Sequence, residues 1–367
     1  MDSIAVGMSK WDLETPAMVL DLDAMEANIL HLAQFMRQNG KNWRPHAKAH
    51  KTPAIAHKQI EAGAIGITCA KLGEAEVMVA SGIKDILIGN QVVGRSKVAR
   101  LAALQKHADV KSAVDSLYNV QEISQAAVEK GVKVPVVIEV NSGLNRAGLK
   151  PGPPVLDLAR VIVTLPGLTF KGLFTWEGFA LREKDLEKRA QLIHSAMKKM
   201  VDTKETLENA GIPVPIVSAG GTGTYIISAK YPGITEIEAG GGCFMDMTYS
   251  DKFGNVGPLK YALTILATVV SRPAPDRAVC DAGRKAMSSQ MMMPKVVNAP
   301  GVQLGWLSAE HGTLELAGEE VKLEVGDKLE FIPGYSDNTM YLHDRVYGVR
   351  SGRVEVAWPI LARGRKD

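Results

Sequence analysis

A lysine, two histidines and an arginine lie within nine residues near the start of the sequence, Trp43-Arg-Pro-His-Ala-Lys-Ala-His-Lys51. Side chains alternate along a strand, so a strand here places Arg44, His46 and Lys48 on one face and leaves Lys51 on the other. Neighbouring positive charge and partial burial lower the pKa of a lysine, which is what imine formation requires. We therefore predict that Lys48 is a reactive amine. A solvated basic turn is the alternative.

A glycine-rich turn, Gly220-Gly-Thr-Gly-Thr-Tyr225, lies between an apolar strand pattern and the start of a helix. Glycines let backbone N–H groups approach a phosphate, and the N-terminus of a helix favours an anion. The turn therefore predicts an anion site formed by Gly221, Thr222, Gly223 and Thr224, with the Tyr225 hydroxyl as a further donor. A plain connection between a strand and a helix is the alternative.

Short apolar strands alternate with helical patterns over the first two thirds of the chain. We predict eight strands, at about residues 43–48, 66–71, 85–90, 111–115, 134–140, 170–176, 215–220 and 236–240. Strands that alternate with helices pair in parallel, and eight of them indicate a closed (β/α)8 barrel rather than a doubly wound open sheet. Because barrel enzymes carry their sites at the C-terminal ends of the strands, both Lys48 and the glycine-rich turn lie where chemistry is expected.

The pattern changes on either side of this region. Residues 255–367 show strand-like alternation with little helix, which predicts a second, mostly β domain with strands near 261–271, 277–281, 302–308, 312–316, 328–332, 345–350 and 353–361. At the other end, an apolar strand at 17–22 precedes a predicted helix to about Gln38. Asp23 and Glu26 have the spacing of a capping box at its start.

Composition excludes several classes of protein. Lys+Arg of 43 against Asp+Glu of 40 gives a net charge of +3, which indicates neither a nucleic-acid nor a membrane partner. No apolar run reaches the ~20 residues of a membrane span, and the N-terminus does not resemble a signal peptide. The three cysteines fit neither a disulfide framework nor a zinc site. We expect a cytoplasmic protein with reduced thiols.

Several motifs together identify a family. The run Arg-Pro-His-x-Lys-x-His-Lys, after a Thr15-Pro16 start, resembles the D-threonine aldolase and D-serine dehydratase family, and the likeness extends to about Gly364. The other matching motifs are Asn141-Ser-Gly-Leu-Asn-Arg146, Gly220-Gly-Thr-Gly223, Asp281-Ala-Gly283 and Glu310-His311-Gly312.

The resemblance implies an enzyme that uses pyridoxal 5'-phosphate (PLP) on the alanine-racemase-like barrel known as fold type III. It implies that Lys48 is the Schiff-base lysine and that the first strand joins the β domain. The implied domains are an N-terminal segment 1–22, a PLP-binding barrel 23–254 and a C-terminal β domain 255–367. It also implies a homodimer.

The same resemblance gives roles to other residues of the barrel. His46 lies beside the lysine, Arg146 faces the phenolic oxygen of the cofactor or the substrate, and Trp176 flanks the cofactor. Glu238 lies near the pyridine nitrogen, where a carboxylate would keep that nitrogen protonated. The alternatives are a surface arginine for Arg146 and simple packing of the barrel end for Trp176.

The sequence departs from the family where a divalent metal is usually bound. The family's His-x-Asp or His-x-Cys pair aligns with Tyr335-Ser-Asp337, and a neutral phenol is a poor metal ligand beside an imidazole. The loop histidine after the sixth strand is also missing, and Arg182 is the nearest basic group. We therefore predict no metal, with Tyr335, Arg182 or His311 acting in its place. A structural role is the alternative for His311.

Three functions are compatible with these residues. The first is a PLP-dependent lyase that performs retro-aldol cleavage or dehydration of a D-configured β-hydroxy amino acid or related amino alcohol. The second is an amino-acid racemase with Lys48 on one face and a tyrosine such as Tyr335 on the other. The third is a non-catalytic PLP-binding protein, which the retained β domain disfavours.

Overall fold

The computed structural model of the chain describes residues 5–318 and 320–367. These residues divide into two compact units. The β unit consists of residues up to Leu30, Ala49–Ala54 and Gly241–Arg363, and the barrel unit consists of His31–Lys48, Ile55–Gly240 and Gly364–Asp367. We keep the domain limits after residues 22 and 254 as a proposal.

The chain begins with strand β1 (Ala17–Asp21) and helix α1 (Leu22–Gln38). The predicted capping box at Asp23 and Glu26 is wrong, because the helix already starts at Leu22. Asp21 caps it instead, with its side-chain Oδ1 accepting from the N–H of Ala24 at 2.9 Å. The Asp23 and Glu26 carboxylates both bind the Arg350 guanidinium.

Eight parallel strands form the barrel and confirm the predicted fold class. They are β2 (Asn42–Trp43), β3 (Ile67–Cys69), β4 (Asp85–Gln91), β5 (Asp109–Val114), β6 (Val134–Glu139), β7 (Leu168–Phe174), β8 (Ile216–Ala219) and β9 (Glu236–Ile237). The hydrogen-bonded order is β2-β9-β8-β7-β6-β5-β4-β3. A parallel bridge between His46 and Thr68 joins the two ends of this order, and the Thr68 N–H donates to the Pro45 carbonyl at 3.0 Å.

Helices follow the barrel strands along the chain, at α2 (Pro53–Glu61), α3 (Leu72–Ala80), α4 (Arg95–Leu104), α5 (Leu117–Lys130), α6 (Pro153–Thr164), α7 (Leu186–Asn209) and α8 (Tyr225–Ser228). Helix α6 shows why they pack against the strands. Its buried residues Val155, Leu158, Ala159 and Ile162 recur at the spacing of one helix face. Among the described residues no helix is long and apolar enough to span a membrane.

The inside of the barrel combines an apolar layer with a buried ionic network. Leu87, Ala113, Val137 and Phe174 pack together from β4 to β7. Near the strand starts, the buried Arg44 guanidinium donates from Nε to Glu236 Oε1 at 3.0 Å and from Nη1 to Asp85 Oδ1 at 2.5 Å. Lys111 Nζ donates to the same Asp85 oxygen at 2.8 Å.

The β unit contains β10 (Leu263–Ala274), β11 (Arg277–Cys280), β12 (Lys295–Val296), β13 (Val302–Leu307), β14 (Gly312–Leu316), β15 (Lys328–Ile332), β16 (Arg345–Arg350) and β17 (Arg353–Pro359). Strand β1 lies in this sheet, antiparallel to β10 and parallel to β16. Its Ala17 and Val19 pack with Leu266 and Val349 in one apolar cluster. The short α9 (Ser336–Met340) follows β15.

Candidate active site

The Lys48 amine lies in a single 3-10 turn, Ala47–Ala49, rather than on a strand. The predicted alternation of Arg44, His46 and Lys48 on one strand face is therefore wrong, because β2 ends at Trp43. The His46 ring stabilises the turn by accepting the Lys48 N–H at Nδ1, 3.3 Å away. Lys48 is half-buried just beyond the C-terminal end of the first barrel strand.

The neighbouring Lys51 has a different environment. It belongs to the β unit and has a left-handed backbone with φ of 51°. Its carbonyl accepts the N–H of Ala362 at 3.0 Å. Lys48, in contrast, belongs to the barrel unit, as Glu238 and the glycine-rich turn do. This shared unit, rather than strand alternation, supports Lys48 over Lys51 as the reactive amine.

Glu238 follows β9 and is buried at the same end of the barrel. Its Oε1 accepts from Thr68 Oγ1 and from Ser218 Oγ, each at 3.0 Å. Burial, together with the neighbouring Glu236, raises the pKa of Glu238 to about 8 against the opposing effect of the two hydroxyls. The backbone connects Glu238 to the lysine turn, because its carbonyl accepts the His46 N–H at 3.2 Å.

The glycine-rich turn uses part of its own hydrogen-bonding capacity internally. The Gly221 N–H donates to Thr224 Oγ1 at 3.0 Å, and that hydroxyl donates to Glu177 Oε1 at 2.6 Å. The buried Gly223 N–H has no acceptor among the residues that the structure describes. Thr222 is also buried. The backbone at Gly223 is therefore the part of the turn that has a donor for a bound anion.

The Tyr225 side chain has partners on α1, and its role as a donor to the anion stays a prediction. Its hydroxyl lies 3.3 Å from His31 Nε2 on α1, and its ring packs edge-on against Phe35 at 5.0 Å between ring centroids. Burial raises the pKa of Tyr225 to about 12. The helix that follows the turn, α8, has only four residues, so it adds little of the dipole effect that the sequence pattern implied.

Trp176 contacts the turn directly. A Cβ placed on Gly221 would lie 2.4 Å from the indole ring, and one on Gly223 would lie 2.8 Å from Leu181. A side chain at either position would therefore force the residue that packs over it to shift. Trp176 follows β7 and is half-buried, so the ring covers the turn from the β7 side.

Arg146 lies in the loop after β6, with an exposed side chain. Its Nη2 is 3.7 Å from Glu139 Oε1, and Gln91 Nε2 donates to the other Glu139 oxygen at 2.5 Å. Burial raises the pKa of Glu139, and the hydrogen bond from Gln91 opposes that rise. Arg182 ends the 3-10 turn Gly178–Arg182 and is exposed.

Tyr335 and Asp337 lie in the β unit. The Tyr335 hydroxyl donates to Asp337 Oδ2 at 3.0 Å, and its ring lies 6.3 Å from that of Tyr249. Burial raises the pKa of the Tyr335 phenol, and the Asp337 carboxylate raises it further. The phenol therefore stays protonated and acts as a donor toward the carboxylate that the family would use as a metal ligand.

The remaining β-unit candidates also have other partners. His311 is exposed in the turn between β13 and β14, where its N–H donates to Ser308 Oγ at 3.2 Å. The His343 ring donates from Nε2 to the Ala286 carbonyl at 2.7 Å, and Asp344 pairs with Arg363. Within the described ranges no three His, Cys, Asp or Glu side chains group as ligands. This donor set does not fit the family's divalent metal.

The structure adds three polar residues that sequence reasoning did not assign to the site. Thr68 and Ser218 hold Glu238, and Glu177 holds the glycine-rich turn; all three are buried. Thr68 and Ser218 stand in otherwise apolar barrel strands, and that was the available signal in the sequence. Their partners could not be predicted, because they come from strands far apart in the chain.

Comparison with known proteins places this geometry in a family. Residues 20–248 match the alanine racemase N-terminal domain, and residues 262–349 match the serine dehydratase domain. The chain belongs to the alanine racemase N-terminal domain family. The match covers the whole barrel and confirms the resemblance that the motifs indicated.

Three of the similar proteins are aldolases by name. The chain is 37% identical to a D-threonine aldolase from Arthrobacter sp. over 96% of this chain and 93% of that protein. It is 35% identical to a 3-hydroxy-D-aspartate aldolase from Paracoccus denitrificans, strain Pd 1222, over 98% and 94%. The crystal structure of D-threonine aldolase from Filomicrobium marinum superposes with a TM-score of 0.96 at 35% identity, covering 99% of each chain.

These findings confirm two further predictions. Proteins of the alanine racemase and D-threonine aldolase families depend on PLP, which confirms the predicted cofactor. Aldolases are lyases, so the prediction of a D-threonine aldolase-like lyase is also confirmed.

The residues of the barrel unit fit PLP. The half-buried Lys48 amine can bind its aldehyde, the Gly223 N–H and Thr222 can bind its phosphate, and the buried Glu238 offers a second carboxyl oxygen to its ring nitrogen. These assignments remain our proposals, residue by residue.

Proposed function

We propose that the chain cleaves the Cα–Cβ bond of a D-configured β-hydroxy amino acid, or of a related amino alcohol, with PLP as its cofactor. The observation that carries the proposal is the half-buried lysine at the C-terminal end of the first barrel strand, in a chain 37% identical to a D-threonine aldolase. Retro-aldol cleavage of such an amino acid gives glycine and an aldehyde. The 3-hydroxyl loses its proton and Cα gains one.

Each barrel residue has a distinct part in the proposal. Bound PLP supplies an electron sink for the charge that develops at Cα. Lys48 anchors the cofactor and exchanges protons at Nζ. Glu238 holds a proton at its carboxyl, and the raised pKa of about 8 suits that task near neutral pH. Thr222 and the Gly223 backbone bind the phosphate. Trp176 and His46 flank the cofactor. Arg146, in the loop after β6, faces the phenolic oxygen of the cofactor or the substrate.

The group that removes the proton of the 3-hydroxyl is proposed on the resemblance alone. Tyr335 comes first, because it replaces the family's histidine and keeps a hydrogen bond to the retained Asp337. Arg182 and His311 are the other candidates. Both have exposed side chains.

Dehydration of the same class of substrate is the second candidate. The match of residues 262–349 to the serine dehydratase domain favours it. Dehydration would release a keto acid and ammonia, so the products separate the two reactions.

The deciding experiment is a panel of D- and L-β-hydroxy amino acids and amino alcohols with product analysis. We expect glycine and an aldehyde from D-configured substrates only. A keto acid with ammonia would replace cleavage by dehydration. Loss of optical rotation without new products, or absence of turnover across the panel, would contradict a lyase.

We propose that this reaction needs no divalent metal, because the Tyr335 phenol donates to Asp337 and the His343 ring donates to a carbonyl. Activity should persist after treatment with EDTA, measured by aldehyde release. Complete loss of activity that manganese or zinc restores would overturn this point.

We further propose that the protein works as a homodimer in the cytoplasm. The dimer follows from the family, and the three buried free thiols suit a reducing compartment. Light scattering on the purified protein tests the dimer, and a monomer at micromolar concentration would contradict it.

A further inference from the structure

A buried carboxylate lies behind the glycine-rich turn. Glu177 is 0% exposed, directly after Trp176. Its Oε1 accepts from Thr224 Oγ1 at 2.6 Å and from Ser228 Oγ at 2.7 Å, and its Oε2 accepts the Gly220 N–H at 3.1 Å. These partners are all neutral, so hydrogen bonds alone offset the burial of this charge.

Glu177 is the acceptor in each of these bonds. The protons of the Thr224 and Ser228 hydroxyls therefore point toward Oε1. Thr224 Oγ1 then has its lone pairs free to accept the Gly221 N–H at 3.0 Å. One carboxylate thus holds the turn at Gly220 and, through Thr224, at Gly221, and it holds the end of α8 through Ser228.

Glu177 also influences which backbone N–H groups of the turn remain available to a ligand. With Gly220 and Gly221 engaged, the Gly223 N–H is a donor of the turn that has no acceptor among the described residues. We propose that Glu177 is a positioning residue for phosphate, which holds the turn so that the Gly223 N–H is presented to the cofactor's phosphate. This inference rests on the proposed PLP site.

Two effects of Glu177 on a bound phosphate oppose each other. Its negative charge repels the phosphate, whereas its three hydrogen bonds keep the turn in a binding shape. The three donors engage both carboxyl oxygens of Glu177, which draws its negative charge toward Gly220, Thr224 and Ser228. We therefore expect the positioning effect to exceed the repulsion.

The test is Glu177→Gln, which preserves size but replaces one acceptor oxygen with an NH2 donor. That donor faces either the Gly220 N–H, whose bond is then lost, or the Thr224 and Ser228 hydroxyls, which must both reverse their direction. Either outcome disturbs the arrangement that holds the turn. Titration of the full-length, cofactor-stripped protein should show PLP binding weakened about tenfold or more, the equivalent of about 1.4 kcal/mol. Binding of pyridoxal, which lacks the phosphate, should change less than about threefold.

Two further variants make the result specific. Ser228→Ala removes one donor to Glu177 and leaves the Gly220 and Thr224 bonds in place, so it should weaken PLP binding selectively but by a smaller factor. If Glu177→Gln does not fold, the Ser228→Ala result tests the inference. Glu187→Gln changes an exposed carboxylate in the first turn of α7 and should behave as wild type.

The inference fails if Glu177→Gln binds PLP as tightly as wild type, or if PLP and pyridoxal weaken equally. Wild-type protein that binds both aldehydes equally would overturn the phosphate site but leave the lyase reaction in place. Wild-type protein that binds neither would contradict the proposed function itself.

Discussion

Glu238 shows how burial and neighbours prepare one side chain for proton exchange. Thr68 and Ser218 both donate to Oε1, so the other carboxyl oxygen remains for a ligand. Burial and the nearby Glu236 favour the protonated form and raise the pKa of Glu238 to about 8 from 4.5. A carboxyl group that keeps its proton near neutral pH can give that proton to a ring nitrogen and then balance the resulting positive charge.

The raised pKa makes stability depend on pH in a defined direction. Between pH 4.5 and about 8 the unfolded chain loses the Glu238 proton while the folded chain keeps it. Stability of the cofactor-free protein therefore falls as pH rises through this window and levels off above it. Glu238→Gln should remove this fall, so the variant should exceed wild type by roughly 2–4 kcal/mol near pH 9 but match it near pH 4.

Urea unfolding of both proteins across this range measures the effect. The difference between variant and wild type matters, because it cancels the titration of other groups. A difference that stays constant with pH would contradict a raised pKa of Glu238 in the folded protein.

Tyr335 allows a test of the proposal that the family's metal site is absent. Tyr335→His replaces a donating phenol by an imidazole beside Asp337, a pair of ligand types that suits zinc or manganese. We expect calorimetric titration to show metal binding by Tyr335→His and none by wild type. Tyr335→Phe is the control and should bind no metal. If all three proteins bound the metal equally, the residue at position 335 would not determine whether the protein binds a metal.

At the scale of elements, the barrel strands were predictable because their apolar runs are short and separated by helical patterns. The seven longer strands of the β unit were predictable as well, through their alternation. The two-residue strand β12 was missed, since two residues carry no pattern. The first barrel strand was predicted too long, because the pattern of Arg44, His46 and Lys48 reads as alternation whether the backbone is extended or turned.

The ionic network around Arg44 joins elements that are distant in sequence. It connects the residue after β2 to the starts of β4 and β9, inside the barrel. Removal of the guanidinium leaves the buried Glu236 without its cation. Arg44→Met should therefore cost about 3–5 kcal/mol of unfolding free energy.

Thermal and chemical unfolding measure this cost. Arg160→Ala is the matched control, because Arg160 pairs with Asp157 at 3.7 Å with both side chains exposed, and such pairs contribute about 0–1 kcal/mol. An equal, small effect of both substitutions would mean that the network does not stabilise the barrel.

At the scale of the whole molecule, the sequence predicted the fold class and the family, because motifs such as the lysine run and the glycine-rich turn are local. It did not predict how the turn is supported. Glu177 and Ser228 are 51 positions apart, and Thr68 and Glu238 are 170 apart. Contacts of this kind depend on which strands become neighbours when the barrel closes, and no local pattern contains that information.

The central claim is that the Lys48 amine in the 3-10 turn is the residue that binds the cofactor. Reduction of the purified protein with borohydride in the presence of PLP, followed by peptide mass spectrometry, tests it most directly. We predict a pyridoxyl group on Lys48, unmodified Lys51, and no modification in Lys48→Ala. A pyridoxyl group on Lys51, or no modification of the wild-type protein, would contradict the account.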